Sequence, residues 1–298
     1  MNILNLEGLN AVGQVAPNTI INADCLEAMK YIADKSIDCI ICDLPYGWGI
    51  TSCKWDTVIP FEPLWEQYKR IIKPHGAIAL FGSQPFTSAL VMSNPKWFKY
   101  EWIWEKSIIG NVFNCKNSPL KNIENITVFS SASIANGAKT MMKYYPQDLI
   151  EINRAKNNTR ERNPNNTIGS RPSRTGGYTQ TQTNYPKQIL KFPSNYEGIH
   201  PTQKPVALIE YLIKTYTLKG ELILDNTAGS GTLAIAAINT DRNYICIEKD
   251  EHYFEVMRDR IENHDPNAIK PQPKLPKKKP VNSEYIQLSL FNDCLDSL

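Results

Sequence analysis

The chain has 298 residues, 42% of them hydrophobic and 21% charged, with a formal net charge of +3. That length and composition support a full core, in one large domain carrying an insertion rather than two equal domains. No uninterrupted apolar run approaches membrane-spanning length, and a charge of +3 does not by itself identify a nucleic-acid partner; its distribution says more.

Met1 to Glu7 has no basic n-region, so the expected location is the cytoplasm. Asp24 is placed to cap a helix over 25–33. The apolar run 37–42 reads as a buried strand. Its Cys39 and Cys42 point to opposite faces, as residues three apart in a strand do, and fit small core residues rather than zinc ligands. The seven cysteines are scattered and odd in number, which suits reduced thiols and no metal. Asp43-Leu44-Pro45-Tyr46 follows the strand directly. Phe61, Leu64, Trp65, Tyr68 and Ile71 recur at helical spacing, and that helix stops at Lys73-Pro74-His75-Gly76. Strands are predicted at 77–81, 100–104 and 126–129, with the aromatics of 100–104 read as strand-core packing ahead of lining a ligand pocket. The later elements are a helix at 205–216, a strand at 222–224, a glycine turn, a helix at 232–238, a strand at 244–247 and a helix at 251–261. This alternation predicts an α/β fold with a mostly parallel sheet, closing in a complete βαβ nucleotide-binding unit.

Residues 133–199 break the rhythm. Between Glu151 and Lys191 stand eight basic residues (Arg154, Lys156, Arg160, Arg162, Arg171, Arg174, Lys187 and Lys191) against two acids, amid Asn, Thr, Gln and Gly. Alone, such a segment reads as a solvated loop. Beside an enzyme acting on a polyanion, its cations would supply phosphate contacts and its Asn, Gln and Arg would read base edges.

Two motifs carry the chemistry. Asp225-Asn226-Thr227-Ala228-Gly229-Ser230-Gly231-Thr232 forms a glycine turn between strand and helix, where backbone N–H groups face a ligand. Glu248, followed by Lys249, ends the next strand about 20 residues on, at the spacing of a carboxylate that accepts hydrogen bonds from ribose hydroxyls. Asp225 suits a cationic group better than a pyrophosphate, and the α-ammonium of S-adenosylmethionine is such a group. At the other site, Asp43 and a main-chain carbonyl near Leu44 or Pro45 would accept hydrogen bonds from an exocyclic amine. Tyr46 offers a face for an extruded base, and Pro45 stiffens the turn.

Over residues 20–262 the chain resembles the S-adenosylmethionine-dependent DNA amino-methyltransferases of the β type, whose catalytic motif precedes the cofactor motif with a recognition region between. Asp43-Leu44-Pro45-Tyr46 is similar to their Asp-Pro-Pro-Tyr, and Asp225 to Thr232 to their Asp-Pro-Phe-x-Gly-Ser-Gly-Thr. The resemblance implies a Rossmann-like sheet with circularly permuted motif order, S-adenosylmethionine as cofactor and double-stranded DNA as partner, with a homodimer left open. His200-Pro201-Thr202-Gln203-Lys204-Pro205 matches an element that helps hold the cofactor's methionine end, through His200, Thr202 and Lys204. Asp24 matches a position that contacts the adenine. Leu44, replacing a proline, is expected to loosen the base pocket; Asn226-Thr227, replacing Pro-Phe, to alter packing. An initial Asp favours the N6 amine of adenine over N4 of cytosine. An RNA amino-methyltransferase and a non-catalytic DNA-binding accessory are the competing readings.

From Asn267 a basic, proline-stiffened linker leads to Gln287-Leu288-Ser289-Leu290-Phe291. The pentapeptide resembles the motif by which bacterial proteins dock on the replicative sliding clamp, with Gln287, Leu288, Leu290 and Phe291 as contacts; packing back on the catalytic domain is the equal alternative. Docking would make this a nucleoid-associated enzyme of bacterial or phage origin.

Overall fold

Strands buried along most of their length need a layer on both faces, and the computed structural model of this chain shows that arrangement. It describes residues 1–47, 56–158, 176–194 and 203–266. In chain order the elements are β1 (Asn2–Asn5), α1 (Leu6–Val12), β2 (Thr19–Asn22), α2 (Cys25–Met29), β3 (Ile37–Cys42), α3 (Phe61–Ile71), β4 (Ile72–Gly82), α4 (Phe86–Ser93), β5 (Phe98–Gly110), β6 (Lys121–Phe129), β7 (Ile150–Asn158), β8 (Gly176–Thr183), β9 (Ile189–Lys191), α5 (Val206–Tyr216), β10 (Leu222–Asp225), α6 (Thr232–Asn239), β11 (Asn243–Glu248) and α7 (Glu251–Glu262). Nine strands form one sheet in the order β1-β2-β11-β10-β3-β4-β6-β5-β9, while β7 and β8 pair as a separate antiparallel hairpin. Only β6 runs against its neighbours in the large sheet.

Alternate residues of each central strand enter opposite cores. Cys39 and Ile41 of β3 join one, with Ala77, Ala79 and Phe81 of β4, under α5, α6 and α7. Ile40 and Cys42 join the other, with Ile78 and Leu80, under α2, α3 and α4. Cys39 and Cys42 thus lie on opposite faces, both buried and unbridged, as the strand period requires. Met1–His264 forms one compact unit.

Three local features differ from expectation. The helix expected over 25–33 stops at Met29, because Arg70 of α3 donates to the carbonyls of Met29 at 2.6 Å and Ile32 at 2.7 Å and the chain tightens into turns. The β1–α1–β2 unit extends the sheet beyond the expected strands. The stretch 133–194 is not wholly apart from the sheet: Leu190 in β9 and Met142 are buried in its core, and Lys143 pairs with Asp38 of β3 at 2.9 Å.

Candidate active site

β10 and β3 lie side by side, with β11 on one flank and β4 on the other. A sheet whose connections diverge at such a point leaves a crevice at the carboxyl ends of its strands. Here it is a cavity of ≈ 1030 Å³ whose walls include Asp24, Asp43, Tyr46, Lys204, Asp225 and Glu248.

One end is built from turns. Asp225 closes β10, is 8% exposed, and accepts from the Thr227 N–H at 3.1 Å. Burial, opposed in part by that hydrogen bond, pushes its carboxyl up to about 7. Among the described residues no Lys or Arg pairs with it. A carboxylate so placed is stabilised by a cationic group entering the cavity. The turn beyond passes through Gly229 and Gly231 at φ of 52° and 76°. A Cβ on Gly231 would stand 2.6 Å from Met257, so dihedral and packing both demand glycine there. The Gly229 N–H donates to Glu248 at 2.7 Å and the Asp250 N–H at 2.8 Å, which fixes one carboxylate oxygen each. Both oxygens retain acceptor capacity toward a ligand hydroxyl, and burial raises this carboxyl too. Asp24 caps α2 through the Leu26 N–H at 3.0 Å, and Lys249 donates to its other oxygen at 3.1 Å. Ser230 and Thr232 turn toward α7, where Arg260 donates to both hydroxyls, at 3.3 Å and 3.1 Å.

The other end is assembled across the sheet. Asp43 follows β3, and its Oδ2 accepts from Lys204 Nζ at 2.5 Å. Lys204 also reaches Glu124 of β6 at 3.0 Å and lies over the Phe81 ring at 5.1 Å. Lys106 holds the second oxygen of Glu124 at 2.9 Å. The Tyr46 hydroxyl stands 2.7 Å from Asp43 Oδ1 and 2.7 Å from Glu124 Oε1, and its ring stacks on Phe86 at 5.1 Å. Two carboxylates and two ammoniums therefore balance, with Lys204 and Glu124 buried and Asp43 and Lys106 partly exposed. Burial would push Glu124 up, but Lys204 and Lys106, with the Tyr46 hydroxyl, hold it down at about 2. Burial pushes Asp43 up, against the pull of Lys204 and with the charge of Glu124 adding to the rise. A single hydroxyl proton cannot serve both carboxylates at once, and of the two it is the Asp43 carboxyl that is raised.

The two ends are stitched together by the residues that depart from the family pattern. Asn226 Oδ1 accepts from Tyr68 at 2.6 Å and Cys42 at 2.9 Å, and the Thr227 hydroxyl donates to the Asp43 carbonyl at 3.1 Å. A proline at 226 would offer neither that side chain nor the N–H that meets Cys42. Leu44 is 3% exposed and packs in the core beneath the turn.

The predicted residues are thus gathered in part. Asp24, Asp43, Pro45, Tyr46, Lys204, Asp225, Thr227, Gly229, Ser230, Thr232, Glu248 and Lys249 surround the cavity. Lys204, expected on the cofactor, pairs with the catalytic turn instead of standing clear of it. Arg154 on β7 and Lys187 before β9 are exposed and away from the cavity walls. His200, Thr202, Arg160, Arg162, Arg171, Arg174 and the 287–291 motif lie outside the described residues. Sequence reasoning missed Glu124 and Lys106. Glu124 carries a readable signal: it shares a strand face with Ile126 and Val128, an acid in register with apolar residues.

A DNA methylase family model matches residues 37–259. Among curated relatives, the type II methyltransferase M.HinfI of Haemophilus influenzae is 25% identical, the match covering 91% of this chain and 78% of that protein. The type II methyltransferase M2.MboI of Moraxella bovis is 27% identical, over 81% of this chain and 86% of its own. Among solved structures, the M1.HpyAVI–S-adenosylmethionine complex superposes with a TM-score of 0.52 at 22% identity, covering 81% of this chain and 98% of that one. The cytosine-N4-specific PvuII DNA methyltransferase reaches 0.59 at 13% identity, over 86% and 89%. With the family's two motifs facing one cavity on this sheet, the chain belongs to the N6-adenine/N4-cytosine DNA methyltransferases and takes S-adenosylmethionine as its cofactor.

Proposed function

We propose that the protein methylates the N6 amine of adenine, at a specific site in double-stranded DNA and on a base turned out of the helix. The observation that carries this reading is the placement of Asp43 and Asp225 after neighbouring strands, opening on one cavity. Asp225 would hold the cofactor's ammonium, Glu248 its ribose and Asp24 its adenine end. Bound there, S-adenosylmethionine supplies an activated methyl group. Asp43 accepts a hydrogen bond from the target amine, drawing its lone pair out of the ring, and is the carboxylate base that takes up the proton the amine sheds. Tyr46 then points its hydroxyl at Glu124, and Lys204 keeps both carboxylates in place. Arg154 and Lys187, with the basic residues of 159–175, would contact the DNA backbone.

Incubating the protein with labelled cofactor and bacterial genomic DNA, followed by nucleoside mass spectrometry, tests the reading: N6-methyladenine is expected, whereas N4-methylcytosine would overturn the base assignment. Transfer to structured RNA in preference to duplex DNA would overturn the substrate class. The same reading places the enzyme in the cytoplasm and assigns Gln287 to Phe291 to the replicative sliding clamp. Removing those five residues should abolish binding to a purified clamp, and unchanged binding would refute that assignment alone.

A further inference from the structure

The hairpin of β5 and β6 overshoots the sheet. Gly82, the last residue of β4, pairs with Asn125, which in turn pairs with Ile103. The pairing of β5 with β6 continues from there to Gly110 and Lys121. On its other side β5 stays paired with β9 as far as Glu105, so its last five residues, 106–110, project roughly 16 Å past the sheet, at about 3.3 Å per residue. Because β5 runs parallel to β3 and β4, this is the edge that carries Asp43. The arms of the projection, through Ile108, Gly110 and Lys121, form part of the catalytic cavity's wall.

Its tip is a built structure. Asn111 adopts φ of 66° and donates to the Ser118 hydroxyl at 2.8 Å, and Asn114 donates back to Asn111 at 2.8 Å. The turn between them, Val112–Asn114, lifts Phe113 into solvent at 103% exposure, with Val112 at 58% beside it. A phenylalanine that covers nothing is unusual for a soluble surface. From 106 to 121 the hairpin carries three lysines, Lys106, Lys116 and Lys121, and no acid. An aromatic ring on a basic finger at the mouth of a base-modifying cavity matches one surface: a stacked polyanion whose base has left a gap.

We propose that this tip is a wedge for duplex DNA, with Phe113 entering the base stack where the target nucleotide has turned out while Lys116 and Lys121 meet the flanking phosphates. The inference rests on the reading of the site as one that extrudes a base. Inserted apolar side chains replace lost stacking and hold the distorted duplex open. The need is greatest where the target base is fully paired and small where a mispair has already loosened it.

The test uses a duplex oligonucleotide carrying the site mapped by modified-base sequencing of methylated genomic DNA, fully paired in one arm and with the target base mispaired in the other. Phe113→Ala is expected to lower kcat/KM on the paired duplex by about tenfold or more, and on the mispaired duplex by about twofold or less. Phe113→Leu, which keeps an apolar wedge, should recover most of the loss. Since Phe113 packs against nothing, the melting temperature and cofactor affinity should not move. An equal loss on both duplexes, or none on the paired one, overturns the wedge. So does a wild-type dimer that Phe113→Ala dissociates, which would make the tip a subunit contact. If instead the wild-type protein gives no fluorescence rise from 2-aminopurine at the target position, base extrusion itself fails, whatever the variants do.

Discussion

The two ends of the cavity are made in different ways. At the end assigned to the cofactor each acid has a partner two residues away, Thr227 for Asp225, Asp250 for Glu248 and Leu26 for Asp24, with Gly229 and Lys249 adding one longer-range contact each to Glu248 and Asp24. At the base end Asp43 is held by Lys204, 161 residues away, and through it by Glu124 of a strand that runs the other way. A site of short loops tolerates change elsewhere in the fold; one spanning the sheet depends on the register of three elements. Variants at the first should therefore act on cofactor binding alone, and variants at the second on turnover.

The largest effect falls on Asp43. Asp43→Ala removes both the acceptor of the amine and the proton's destination, and should lower kcat by about a thousandfold or more, since an electrostatic acceptor and a general base are lost together. Equilibrium dialysis with the cofactor should show nearly unchanged affinity; a parallel loss of binding would erase the division between the two ends. At the opposite end, Asp225→Asn should weaken the cofactor about 10- to 100-fold, the range for a lost hydrogen bond to a charged group, while kcat at saturating cofactor stays near the wild-type value.

How far these ends were legible in the sequence follows the same division. The glycine turn, Asp225 and Glu248 are read from spacing because the strand, turn and helix that place them are contiguous. α3 and β3 are also visible, since Leu64, Trp65, Tyr68 and Ile71 keep a helical period and β3 is apolar at every position but Asp38. β1 and α1 are not, because β1 has no buried residue and α1 buries only Leu9, which leaves no period to detect. β9 is three residues long and buries Leu190 alone. Glu124 shows in sequence as an acid on an apolar strand face but not as a site residue: its partners come from the turn after β3, from β5 and from the segment before α5, and only sheet order brings them together. Phe113 is likewise ordinary in sequence, and becomes notable only when the register of β5 and β6 shows how far the hairpin extends.

A smaller effect is the pH dependence of cofactor binding. Burial raises Asp225 to about 7 in the free protein, and only its ionised form attracts an ammonium. Affinity should be full above pH 7 and fall as pH drops through that value, approaching tenfold per unit. The sign for stability runs the opposite way: a carboxyl raised on folding favours the folded state below its unfolded pKa, and that contribution is lost as pH rises through about 7. Cofactor therefore restores most at high pH, and its effect on melting temperature should be larger at pH 8 than at pH 6. In Asp225→Asn that difference should vanish; its survival would assign the titration to another group, with Glu248 next in line.

The finest distinction concerns Glu124, which we treat as a positioning residue because its described contacts are Tyr46, Lys204 and Lys106. Glu124→Gln keeps the shape and removes the charge. Losing that charge takes away one of the influences that raise Asp43 and leaves Lys204 to Asp43 alone, so both changes lower the Asp43 pKa. A weaker base in the catalytic turn should cost kcat about tenfold while KM for the cofactor holds. The acid limb of the kcat profile should move to lower pH, toward the ordinary carboxylate range. A residue that only filled space would lower activity without moving the limb, and Glu124→Asp, which restores the charge, should return the limb toward its wild-type position even if the rate recovers only in part. A limb that stays fixed in Glu124→Gln would mean that Asp43 is tuned by Lys204 and burial alone, and that the strand across the sheet supplies packing and no electrostatic control.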